Sequence, residues 1–160
     1  MSARPFSVGP VIERLRARVS KGDDGLRMVA GRADYASVRR LGDFPAPAGY
    51  VLLAKEKGVR TEQGMSMPGE QYPLAQVMSV TFAVIHAFRN YRQLEGDALR
   101  EELELRVGLT RDQLLGWTPD VAGGRACELL TGDLGAYDNA VALWTDLYAT
   151  QHLIQPEISP

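Results

Sequence analysis

Cysteine is nearly absent from this chain. Cys127 is the one thiol in 160 residues, which excludes an internal disulfide and a cysteine-ligated zinc site. It reads as a small buried hydrophobe. Histidine is almost as scarce. His86 and His152 lie far apart in HxxxH- or HxxE-free surroundings, so no metal is expected. The glycines at 22, 25 and 31 do not make GxGxxG, and GxxxxGK[ST] does not occur, so no cofactor is expected either. No run approaches the roughly 18 apolar residues of a membrane-crossing helix, which argues against membrane contact. The opening MSARPFSVGP has no apolar signal core, and the expectation is a protein made and kept in the cytoplasm. Charge of one sign is also lacking. Eighteen Lys and Arg against 20 Asp and Glu leave a net charge of −2, too little positive charge for strong nonspecific nucleic-acid binding. Asp133, Asp138 and Asp146 read as turn-formers rather than as a general-acid pair.

What is present is enough apolar residue, 45% of the chain, for one domain with a real core. GPVIERLRARVS predicts a helix, with Pro10 at its first position and Val8, Ile12, Leu15 and Val19 on one stripe. Strands are expected over 26–32 and 50–57. Between them lie a short helix over 33–42, capped by Asp34 and stopped by Gly42, and a linker, DFPAPAG. Residues 58–73 carry glycine and proline without periodicity, and read as a long functional loop. VTFAVIHAF alternates as a long strand whose apolar face is Val80, Phe82, Val84, His86 and Phe88.

GDALREELELRVGLTRDQLLG is the main helix, capped by Asp97. Gly108 weakens its middle, and Thr110 with Gln113 suggests a second start. A kink or break over 108–110 is therefore expected. Its charge run suits a solvated face, with Glu102 and Arg106 as an i,i+4 pair. LLGWTPD then stops the helix. Gly116 takes the left-handed conformation, Pro119 prevents continuation, and Trp117 plugs the core as a structural corner. RACELLTG is a strand, DLGAYDN a turn or bulged corner, and residues 140–154 a final strand. That strand alternates Ala142, Trp144, Asp146, Tyr148 and Thr150 against Val141, Leu143 and their followers. The tail from 155 to 160 is expected to be flexible. The fold class is α+β, a single domain with a mainly antiparallel sheet covered on one face by helices.

In this order the segments VIERLRARV, LRMVAG, YVLLAKEKG, VTFAVIHAFRN, LLGWTPD and YDNAVALWTDLYAT resemble the tail terminator proteins of long-tailed bacteriophages, over about residues 8 to 154. The resemblance implies a non-enzymatic structural protein of the virion's tail and neck. It implies a ring, commonly six-fold, that caps the completed tube of the major tail tube protein and stops its growth. The ring meets a head completion or connector protein, and DNA passes through its lumen without sequence-specific binding. The basic residues of the first helix, Arg14, Arg16 and Arg18, and the acidic Glu101 and Glu104 of the main helix are candidate contacts around such a ring. Arg60, Met65 and Met67 are candidate contacts in the long loop, expected to be mobile over about 58–72. Trp117, Pro119, Trp144 and Tyr148 are read as structural. A head–tail connector or other tail-completion protein is the nearest rival. A small α+β enzyme or binding domain with His86 or Asp146 in a pocket is the contrasting class.

Overall fold

The structure, a computed structural model, describes residues 3–20, 25–60, 75–89, 96–137 and 141–157, the side chains of 97–99 and 137 aside. The elements run α1 (Gly9–Arg18), β1 (Met28–Ala30), α2 (Arg32–Ser37), β2 (Ala48–Gly58), β3 (Gln76–Arg89), α3 (Gly96–Leu114), β4 (Glu128–Tyr137) and β5 (Val141–Ile154). The strands form one sheet in the order β1-β2-β3-β5-β4. Only the three-residue β1 is parallel to its neighbour. The pairs β2–β3, β3–β5 and β5–β4 are antiparallel. This is the expected α+β class.

Alternation in β3 sorts the two faces. Val80, Phe82 and Val84 point under α1 and α3, where they pack with Val11, Leu15, Val51, Leu114 and Tyr148. His86 and Phe88 continue on that side and are fully buried. Ala87 and Ile85 point the other way, into a smaller core with Tyr50, Phe44, Val141 and Leu143. The two long helices thus share one face. The short α2 and the turn after it cover one end of the opposite face, through Tyr35, Val38 and Leu41.

Several element boundaries differ from the sequence expectation. α2 starts earlier, with Gly31 as its N-cap, and ends at Ser37. A 3-10 turn over Leu41–Asp43 stands where Gly42 was expected to stop the helix. β1 is shorter than 26–32. α3 is unbroken through Gly108 and Thr110. Burial explains why: Val107, Thr110 and Leu114 face the sheet and anchor every turn, so one glycine does not break it. Thr110 is no cap. Its Oγ1 donates back to the Arg106 carbonyl at 3.2 Å. Asp97 lies inside the helix that begins at Gly96 rather than before it. β4 runs on through 133–137, the segment read as a corner. The irregularity survives as register shifts at Leu129/Thr131 and Leu134/Tyr137.

LLGWTPD is the corner expected of it. Gly116 has φ +74°. Leu115 N–H and Trp117 N–H donate to the Arg111 and Leu114 carbonyls at 2.9 and 3.1 Å, closing the end of α3. The turn then pairs with Cys127: Gly116 N–H donates to its carbonyl at 3.0 Å, and its N–H donates to Trp117 O at 2.9 Å. Pro119 is buried. Trp117 is half-buried rather than plugged into the core. Its ring packs on the main cluster, while the Arg14 guanidinium lies 5.0 Å from the ring centroid.

Candidate interaction surface

β5 presents Ala142, Trp144, Asp146, Tyr148 and Thr150 to the helix-covered face, so a carboxylate sits on a core-facing position. Asp146 is fully buried. Its charge is met by four hydrogen bonds from three side chains. Arg111 of α3 reaches it as a fork, Nε to Oδ2 and Nη2 to Oδ1, both 2.8 Å. Trp144 Nε1 donates to Oδ1 at 2.7 Å, and Tyr148 OH to Oδ2 at 3.3 Å. The Arg111 pKa is raised, first by its hydrogen bond to Asp146. Burial pushes the Tyr148 phenol far up, and the Asp146 charge adds to it.

Gly132 of β4 lies opposite Asp146. A Cβ there would come within 2.6 Å of both Arg111 Nη2 and Asp146 Oδ1. The strand therefore needs glycine for the ion pair to lie against its backbone. Beside this network, at the residue before Arg111, His86 Nε2 and Thr110 Oγ1 are 3.0 Å apart. Burial lowers the His86 pKa to about 4, with Asp146 opposing and Arg111 adding to the shift. The ring is therefore neutral at neutral pH.

Above this network lies a groove of about 510 Å³ between α3 and the β4–β5 edge. Leu103, Val107, Leu134 and Trp144 give it apolar walls, Arg111 its floor, and Arg100 and Glu104 its rim. Arg100 Nε and Glu104 Oε1 are 3.6 Å apart. The bidentate Arg111–Asp146 pair fixes α3 over the sheet and so fixes the groove's width. Such a site has the features of a protein-binding surface: apolar walls beside an edge strand with charges at the rim. Among the described residues, no group of three or more His, Cys, Asp or Glu is placed to hold a metal ion.

The residues singled out from the sequence are scattered relative to this groove. Glu104 lines it, and Glu101, also exposed, is its i−3 neighbour on the helix. Trp144 forms a wall, while Tyr148 is buried outside the groove's lining and bonds to Asp146. Arg14 and Arg16 are engaged within the chain. Arg14 Nε donates to the Gln113 carbonyl at 2.6 Å, meeting an orphan carbonyl at the negative end of α3. Arg16 Nε donates to Val29 O at 2.8 Å. Arg18 is exposed. Arg60 is exposed just past β2. Met65 and Met67, with most of the long loop, lie outside the described residues, as does the end of the C-terminal tail. The Glu102–Arg106 pair forms at 3.1 Å and is mostly buried, with Arg106 also donating to the Gly25 carbonyl. That part of the charge run is a tie between α3 and the segment before β1, not a solvated face.

Sequence reasoning passed over Arg111, Gly132 and Leu134, and set Asp146 aside as a turn-former. The available signal was Asp146's place in the Trp144–Tyr148 alternation, where a carboxylate demands a buried cation.

No described helix is long and apolar enough to cross a membrane. Comparison with curated proteins returned no match. Comparison with protein families returned one that spans nearly the whole chain: the family described as phage tail terminator protein matches residues 1–159. Together with the α+β sheet and its helix-covered face, this match makes the chain a structural protein of the bacteriophage tail, a member of the phage tail terminator protein family.

Proposed function

We propose that the chain closes into a ring on the end of the completed tail tube, stops further tube polymerisation and offers the head its joining surface. The observation that carries this is the family match over residues 1–159. A sixfold ring is the form implied by the sequence resemblance. Its subunits need one patch that meets a different patch on the next copy. We place one of those patches on the α3–β4 side. There β4 ends the sheet, Leu130 and Leu134 are 55% and 53% exposed, and Glu101 and Glu104 stand on the adjoining helix. α1 is the weaker choice, because Arg14 and Arg16 are spent on contacts inside the subunit. The virion's DNA passes through the ring without sequence-specific contact, which suits a chain of net charge −2.

Purified chain added to purified tail tubes tests this directly. Electron microscopy should show extra density at one tube end, and added tube subunits should no longer lengthen capped tubes. Bare ends and unchanged growth would overturn the reading.

A further inference from the structure

Among the described residues five large apolar side chains are strongly exposed: Val59 at 39%, Leu105 at 46%, Leu115 at 47%, Leu130 at 55% and Leu134 at 53%. Four of them lie on α3, directly after it, or on β4. The fifth, Val59, lies elsewhere, just past the end of β2. It is held there in extended form, because its N–H donates to the Val77 carbonyl at 2.9 Å. Alternation places Lys55, Lys57 and Val59 on one side of that strand, and Arg60 follows. All four are exposed. The end of β2 is thus an ordered aliphatic tip between cations.

The α3–β4 groove is its complement in shape and charge. Its walls are apolar, and a side chain at Gly108 would meet nothing within 4 Å, so the helix side of the groove is open. Arg100 is balanced by Glu104, and Arg111 by Asp146. Glu101, exposed and i−3 to Glu104, adds a negative charge on the helix surface beside that rim. We propose that this groove receives the end of β2 from a second copy of the chain, with Val59 against Leu134, Val107 and Trp144, and Lys57 and Arg60 beside Glu101 and Glu104. The aliphatic stems of Lys57 and Arg60 fill the space that a valine leaves, while their charged ends stay at the rim. The donor and receiver patches differ, so each copy gives one contact and takes one, as a ring requires. The proposal rests on the ring-forming reading above and assigns it an interface.

The test mixes two variants, Val59→Cys and Leu134→Cys, on purified tail tubes and adds a short bismaleimide cross-linker. The native Cys127 is buried with its thiol pKa raised to about 11, so it adds little background. Dimers should form in the mixture several-fold above either variant alone. Adding Glu101→Lys to the Leu134→Cys chain should lower that yield several-fold, and Lys57→Glu on the Val59→Cys chain should restore part of it. A mixture that cross-links no better than the single variants overturns the proposed contact. Capped tube ends in that same sample would leave the ring reading standing, while bare ends would remove both. Cross-linking of Leu134→Cys to the tube protein instead would also overturn it, by giving the groove another occupant.

Discussion

The two faces of the sheet are built differently. Under α1 and α3 the core mixes apolar and polar groups. Phe82 stacks on Tyr148 at 5.3 Å between ring centroids, and Asp146, His86, Thr110 and His152 are buried around it. The Asp146 carboxylate there is fully matched, whereas His86 Nδ1 is buried with no hydrogen-bond partner among the described residues. His152 Nε2 lies 2.8 Å from Glu56 Oε1, which also accepts the Phe6 N–H at 2.7 Å. Beneath α2 the core is small and aromatic: Tyr35, Phe44 and Tyr50 meet with centroids 5.5 to 5.7 Å apart. Its polar atom, the Tyr50 hydroxyl, is buried and finds no hydrogen-bond partner among the described residues. The contrast separates two uses of a core. Packing alone holds the second face, whereas directional bonds on the first fix where α3 sits, and α3 is one wall of the groove.

The largest effect should come from breaking the directional side. Asp146→Ala leaves Arg111, Trp144 and Tyr148 without their acceptor, and should cost about 3–5 kcal/mol in urea unfolding. An unchanged midpoint would mean that Arg111 escapes to water at no cost and that the two faces do not differ as described. Acid comes next. The folded His86 pKa lies near 4, below the ordinary value of 6.5. Its contribution is therefore fully present above pH 6.5 and is lost as pH falls toward 4. The loss should amount to roughly 3 kcal/mol at most. Unfolding measured from pH 7 to 4 should show this slope, and His86→Gln should flatten it. A slope that His86→Gln leaves untouched would assign acid sensitivity to other groups.

Trp117→Ala should cost about 2 kcal/mol, below the 3–5 kcal/mol of a fully buried aromatic, because the ring is half-covered and partly shielded by Arg14. A loss as large as that of a core phenylalanine would show the corner to be part of the main core. The smallest change should be on the second face. Tyr50→Phe removes a buried hydroxyl that has no partner, so thermal unfolding should shift by no more than about 1 kcal/mol, toward greater stability. A clear destabilisation would show that the hydroxyl is satisfied after all and would erase the contrast between the faces.

Much of the fold was legible from period alone. The alternation of β3 and β5 named both their faces, and Gly116 before Trp117 and Pro119 named the end of α3. Errors gathered where tertiary packing overrides local preference. Gly108 should weaken a helix, yet burial of Val107, Thr110 and Leu114 carries α3 straight through it. DLGAYDN is rich in turn formers, yet pairing with β5 keeps 133–137 in β4. The candidate surface was half legible. Glu101 and Glu104 were readable as an exposed acidic face. That Arg14 and Arg16 are taken up inside the subunit was not, because their acceptors are backbone carbonyls, which carry no sequence signal.

By itself the sequence determined the class of structure, the order of most elements and the family, because hydrophobic period and turn chemistry are local properties written residue by residue. Tertiary structure alone decided that Arg111 and Asp146, 35 positions apart, form one buried pair. It also decided that Gly132 makes room for that pair and that the pair underlies a groove at the sheet's edge. A charge on a core-facing strand position demands a partner, but only the packing of α3 against β5 determines which cation reaches it.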